Sequence, residues 1–330
     1  MNSLRRATCF WDLAETHPVL FSVGWFPVFL LSVVWAWLAR LKRALARAPY
    51  ESKIPSLCVG NLTLGGSGKT PVVKALADHF KDLNPVIISR GYRGAAERRG
   101  DKVLLSDKHG ARRYGDEPWM LAHQTGLPTY VGKDRRQSVK RAEREHAGLL
   151  LFDDGFQNPQ VQYTQSLLLW DPDLGPRGRY CFPLGLLREP LSAKRRATHV
   201  LEASKSGETF KNEGPFNERE ETPAHLENER LGAFCGVGNG GPFFAYLRGR
   251  FHLAHEESFA DHYWYTPADI DRLNRVAEAN GITGWIVTEK DWFRIGESRS
   301  RFSRPLYFTR LTAKLTQDVY KRLDGLRALT

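Results

Sequence analysis

The sequence predicts an α/β fold: a mainly parallel sheet, a second, smaller α/β unit after it, and one hydrophobic helix in front. Three observations carry this. Short apolar runs rich in Val, Ile and Leu alternate with stretches of helical length, the pattern of strands covered on both faces by crossover helices. A glycine-rich loop separates the first of these strands from the first of these helices. An uncharged run of 22 residues, Pro18 to Ala39, precedes both.

That run reads PVLFSVGWFPVFLLSVVWAWLA. At ~1.5 Å per residue a helix of this length just crosses a ~30 Å hydrocarbon layer. Trp25, Trp35 and Trp37 suit an interfacial belt, and Arg40, Lys42, Arg43, Arg47 and Lys53 follow. The positive-inside rule then puts the next domain in the cytoplasm, its basic stretch against anionic headgroups. A spanning helix and a helix lying in one leaflet, which Pro18, Gly24 and Pro27 tolerate, both remain open. A cleaved signal peptide fits less well, because the apolar run exceeds an h-region and basic residues follow it. A buried helix of a soluble protein is the plain alternative.

Residues 54–60 read as a buried strand, 69–81 as a helix with Pro71 in its first turn, and 85–89 as the next strand. A helix is expected at 115–125, a strand at 128–132, a basic helix at 134–147 and strands at 149–157 and 166–171. Residues 203–230 are polar and aperiodic, a surface loop or linker. Order resumes at 231–238, and a helix at 267–279, a strand at 285–291 and a helix near 313–325 complete the smaller unit.

The 330 residues suggest about two domains, and 42% hydrophobic with 26% charged residues excludes collagen-like or wholly disordered chains. A net charge of +11 favours anionic partners: nucleotide phosphates, nucleic acid or a membrane face. The four cysteines form no CxxC pair and no zinc spacing, which fits a reduced, cytosol-facing compartment.

Five motifs carry chemistry. Thr63-Leu64-Gly65-Gly66-Ser67-Gly68-Lys69-Thr70 lies between strand and helix. Its glycines let backbone N–H groups face phosphate oxygens, Lys69 reaches the β/γ-phosphates, and the Thr70 hydroxyl binds Mg²⁺. Thr63 stands where the strict P-loop pattern has glycine, so this is a variant. Asp153-Asp154 ends an apolar strand, the Walker B arrangement for a magnesium-bound nucleotide; the paired carboxylates call for a nearby cation. Asp116-Glu117 opens a helix, where two carboxylates serve equally as a cap or as a base with a metal ligand. Asp261-His262 pairs a carboxylate with an imidazole, or is a packed histidine among aromatics. Arg188-Glu189 offers a planar fork for phosphate, or a surface ion pair; Arg90, Arg93, Arg135 and Arg136 are further phosphate candidates.

Taken in order, VGNLTLGGSGKTP, SRGYRG, GDEP, LFDDGFQ, PLGLLREP, AFCGVGN, FADHYWYT and VTEKD resemble the tetraacyldisaccharide 4'-kinase (lipid A 4'-kinase) family, from about residue 50 to 291. The resemblance implies a P-loop NTPase-like fold, with ATP and Mg²⁺ as cofactors. The implied reaction moves the γ-phosphate to the 4'-hydroxyl of an acylated disaccharide 1-phosphate. It implies that Lys69 and Thr70 serve ATP and Mg²⁺, that Asp116 works with His262 on the hydroxyl, and that Asp261 supports His262. Glu117, Asp153 and Asp154 then serve the metal region, and Tyr92, Arg188, Glu189 and one of Arg135 and Arg136, taken as Arg136, match positions near the substrate or its phosphates; Arg93 is added from its own place in the glycine-rich RGYRG loop. The expected division is a membrane-associated helix at 1–50, a P-loop kinase domain at 51–202, a linker at 203–230 and a C-terminal domain at 231–330. The expected setting is the cytoplasmic face of the inner membrane, as a monomer.

Three departures concern substrate fit: GPRGRYCFPLGLLREP replaces the usual segment before LREP, Gly240 replaces a proline after Asn239, and 203–230 looks like a local insertion. The competing reading is a membrane-tethered P-loop ATPase switch. The deviant Walker form of such switches has an early lysine, and LTLGGSGKT has none before Lys69. A nucleic-acid partner is not expected, because many basic residues follow the hydrophobic helix and are not set beside stacking aromatics.

Overall fold

The computed structural model describes residue 10 and residues 18–66, 68–203, 209–223 and 226–329. The chain forms two units, and each is discontinuous in sequence. The first holds residues up to Ser89, then Asp134–Thr209 and Leu315–Thr330; the second holds Arg90–Lys133 and Phe210–Lys314. The expected boundaries at 202 and 230 differ from this. Composition marks where polarity changes along a chain, and it cannot see that 90–133 packs with residues far downstream.

In the first unit five strands lie in the order Pro85–Ser89, Leu149–Asp153, Ser56–Asn61, Gln165–Trp170, His199–Glu202, all parallel to their neighbours. The three strands at the head of that order are buried at every position, which is why they read as unbroken apolar runs. Register sets Val59 opposite Asp153, so the strand feeding the glycine loop runs beside the strand ending in aspartates. The helix Lys69–His79 buries Val72, Val73, Leu76 and Ala77. At its far end His79 hydrogen-bonds Asp324 at 2.8 Å and stacks on Tyr320 with ring centroids 4.2 Å apart. The segment Gln317–Leu323 therefore belongs to the first unit, and its helix starts four residues later than expected.

The N-terminal helix spans Pro18–Ala44, and its stretch Gly24–Ala44 has the length and composition to cross a membrane. Phe26, Leu31, Val34, Trp37 and Leu38 on it are exposed.

In the second unit the strand order is Phe210–Phe216, Leu306–Ala313, Gly284–Thr288, Arg230–Cys235, His252–Ser258; the pair at the Phe210 edge is antiparallel and the rest are parallel. Phe234 and Trp285 anchor its core, with ring centroids 5.5 Å apart. Gly232 is required beside them: a Cβ there would stand 2.4 Å from the Trp285 ring. The helix Pro267–Asn280 starts at a capping box made by Thr266 and Asp269.

Two expectations are corrected. Within the polar stretch 203–230, Phe210–Phe216 is an edge strand; half-exposed positions with no apolar alternation hid it. The strand expected at 285–291 ends at Thr288, whose hydroxyl caps the Asp291 N–H and opens a helix, Glu289–Ile295, with acidic residues in its first turn.

Phe234→Ala is expected to cost about 3–5 kcal/mol, read as a fall in the urea midpoint of unfolding.

Candidate functional site

The candidate residues fall in two polar clusters, one in each unit. In the first, the loop after Ser56–Asn61 turns through Gly65 and Gly68, at φ of 88° and 77°, left-handed values that glycine adopts without strain. Ser67 lies outside the described residues. Lys69 and Thr70 follow as the first residues of the helix, both buried. Lys69 Nζ donates to Asn61 Oδ1 at 3.2 Å and lies 3.6 Å from Asp154 Oδ1. Asn61 Nδ2 in turn donates to the Thr63 carbonyl and hydroxyl, both at 2.9 Å, bracing the entry to the loop from inside.

Asp153 and Asp154 divide. Asp153 is the last strand residue and 1% exposed. Asp154 turns away at φ 54°, a conformation that non-glycine residues avoid, and accepts from Arg188 Nη1 at 2.9 and 3.0 Å. Burial alone would raise its pKa; the charges of Lys69 and Arg188, helped by Arg135, hold it well below the usual carboxylate range. The cation required by paired aspartates is thus present three times over. Between the two arginines left open, Arg135 is the buried one, at 2% exposure, and its charge acts on Asp154. Arg136 is half-buried, its N–H bonded to Asp134. Glu189 is buried and paired with Arg196.

Among the described residues no group of three or more His, Cys, Asp or Glu side chains is placed to hold a metal ion. The oxygen donors at this strand–helix junction, Thr70 and Asp153, suit Mg²⁺, which takes one or two protein oxygens, several waters and substrate phosphates.

In the second unit Asp116 starts the helix Asp116–Thr125, 5% exposed. Its Oδ2 faces His262 Nδ1 at 2.9 Å and accepts from Arg294 Nε at 2.6 Å. Burial raises its pKa, yet the hydrogen bond to His262 and the charge of Arg294 outweigh it and keep the carboxyl far below its ordinary value. Arg294 also donates to the Gly236 carbonyl at 2.5 Å and to Asp291 at 3.0 Å. Asp291, wholly buried, accepts from the Tyr265 and Thr288 hydroxyls and from Gly236 N–H. His262 is held at φ 58°, with Tyr92 edge-on at 5.8 Å. With Nδ1 against Asp116, the imidazole presents Nε2 outward; the nearest carboxylate there is Asp261, at 3.9 Å and half exposed. The imidazole is thus gripped by Asp116 more closely than by its sequence neighbour. Arg93 reaches the Asp261 carbonyl at 3.4 Å, and Glu117 is paired with Lys290.

Asn61, Lys290, Asp291 and Arg294 were not anticipated. The signal for Arg294 was present: a Thr288 cap makes 289–295 a helix, and then 291 and 294 share a face.

The family model described as tetraacyldisaccharide-1-P 4'-kinase, LpxK, matches residues 25–327. The chain is 38% identical to a protein of Nitrobacter winogradskyi named tetraacyldisaccharide 4'-kinase, over 77% of this chain and 78% of that one. A protein of the same name from Desulfotalea psychrophila is 32% identical over 92% and 96% of the two chains. Among solved structures, the "apo" form LpxK of Aquifex aeolicus in complex with ATP superposes with a TM-score of 0.69 at 24% identity, covering 92% of this chain and 99% of that one. The fold is therefore α/β and P-loop NTPase-like.

Arg294→Ala strands the buried Asp116 charge and is expected to cost about 3–5 kcal/mol of stability, with Arg294→Lys losing less; chemical denaturation of the two variants measures the difference.

Proposed function

Because the chain belongs to the tetraacyldisaccharide-1-P 4'-kinase family, we propose that it transfers the γ-phosphate of ATP to the 4'-hydroxyl of a tetraacylated disaccharide 1-phosphate, the lipid A precursor. The observation that carries this furthest is the Asp116–His262 pair locked by Arg294. A sugar hydroxyl is a weak nucleophile and gains from a base, typically ~10²–10⁴-fold. A nucleotide switch has no acceptor and needs no such pair.

Phosphoryl transfer asks for positioning and charge stabilisation. The amides of the glycine loop and Lys69 hold the β- and γ-phosphates, and Arg188, already at Asp154, lies ready for charge on the transferring group. Thr70 and Asp153 would hold Mg²⁺, which neutralises charge on the phosphate oxygens when bound. Asp116, ionised and tied to Arg294, is too weak a base to take the proton alone. It orients the imidazole, and His262 Nε2 accepts the hydroxyl proton as the alcohol oxygen bonds to the γ-phosphorus and ADP leaves. Asp261, on the Nε2 side, supports the imidazolium that forms.

The helix supports a membrane setting. From Phe29 onward it is held to the first unit: the Phe29 ring meets Tyr180, and Ser32 and Trp35 donate to the carbonyls of Cys181 and Arg188, which lie in irregular backbone. Lipid-exposed irregular backbone does not sit in hydrocarbon. Residues 18–28 remain, eleven positions or roughly 16 Å of helix, about half a hydrocarbon layer. We read the helix as lying in one leaflet at the cytoplasmic face of the inner membrane.

Detergent-solubilised protein with Mg-ATP is expected to phosphorylate the acylated disaccharide 1-phosphate; slow ATP hydrolysis without transfer to that acceptor points to the switch instead. Asp116→Ala is expected to lower kcat by ~10²–10⁴-fold with nucleotide affinity retained; parallel losses in both make Asp116 a metal or structural residue. In intact spheroplasts Cys9 is expected to resist a membrane-impermeant thiol reagent if the helix lies in the cytoplasmic leaflet; Cys58, Cys181 and Cys235 are buried, so labelling from outside reports Cys9 and means that the helix spans.

A further inference from the structure

The N-terminal helix has an inner side as well as an apolar outer one. Ser32, 4% exposed on a helix whose other faces are open, donates from Oγ to the Cys181 carbonyl at 2.7 Å. One turn later Trp35 Nε1 donates to the carbonyl of Arg188 at 3.0 Å, and its ring meets Phe182 edge-on at 5.3 Å. One turn earlier Phe29 meets Tyr180 edge-on at 6.2 Å. Positions 29, 32 and 35 are spaced by three, so they share one helix face.

The segment they grip is the one that flanks the glycine loop. The Leu186 carbonyl accepts from Leu64 N–H at 2.8 Å, and Arg188 N–H donates to the Leu62 carbonyl at 2.7 Å. Thr63 bridges to Leu187 between them. Arg188 is thus fixed through both of its peptide groups, one to the strand entering the phosphate loop and one to the indole of the helix. Its guanidinium is then aimed at Asp154, beside Lys69.

We propose that Trp35 and Ser32 are positioning residues for Arg188, which makes the membrane helix a structural part of the phosphate site as well as an anchor. A kinase acting on a lipid-borne alcohol gains from this arrangement, because the arginine is in place only while the helix is seated. The inference rests on the reading of Arg188 as a phosphate-site residue, and the test separates the two.

Trp35→Phe keeps an aromatic ring and removes the N–H donor. In full-length protein in detergent micelles it is expected to lower kcat about three- to tenfold, the worth of one hydrogen bond. Its KM for the lipid acceptor, its thermal midpoint and its sedimentation with membranes stay as in the parent. Ser32→Ala, which creates little space, is expected to act in the same direction and guards against a folding defect in the first variant. The decisive measurement is the double-mutant cycle with Arg188→Ala. If Trp35 acts through Arg188, Trp35→Phe costs nothing further once Arg188 is gone. Full additivity, or unchanged kcat in both single variants, overturns the proposal. If Arg188→Ala itself leaves kcat intact, the reading of Arg188 fails, and the proposal with it.

Discussion

Asp154 between Lys69 and Arg188 is the interaction on which the first unit's site depends. The three charges come from three separate places in the sequence: a strand end, a helix start and a loop. Held together, they fix how the glycine loop meets the end of the strand Leu149–Asp153. The aspartate sits in left-handed backbone, a conformation of order 1–3 kcal/mol above its relaxed state. Charge neutralisation in a half-buried setting is what offsets that strain. The same logic explains why Asp153 and Asp154, adjacent in sequence, face different surroundings: one continues the strand and the other leaves it.

The second unit solves a similar problem with different residues. Asp116 is buried, and a buried carboxylate without a cation is far costlier than the pair is stabilising. Arg294 supplies the cation, and Asp291 with the Gly236 carbonyl keeps Arg294 in place. His262 joins at a strained φ of 58°, as do Asp154 and Arg93, so three of the six non-glycine residues with positive φ among those described are candidate site residues. Strain concentrated in this way is what a site built for geometry, more than for stability, produces.

Much of this was legible in sequence because it rests on local signals. The glycine loop sits between a strand and a helix as its spacing implies, and the apolar runs are the strands of the parallel sheet. His262 and Asp116 were paired only through resemblance; no spacing rule links residues 146 positions apart. Arg294 was missed because VTEKD reads as a continuing strand until Thr288 is seen as a cap. Phe210–Phe216 was missed because an edge strand in contact with solvent need not alternate. Lys290 was passed over although quoted within a motif, since a lysine beside glutamate and aspartate looks solvated until its partner, Glu117, is placed against it.

The polypeptide passes between the two units four times, and the first unit takes in residues 315–329 at its edge, where Asp324 and Tyr320 meet His79 at the end of the phosphate-loop helix. During synthesis the strands and glycine loop leave the ribosome early, yet their last supporting segment emerges after the whole second unit. The half with the glycine loop, begun first, is completed last, and until then the helix after that loop has an uncovered end.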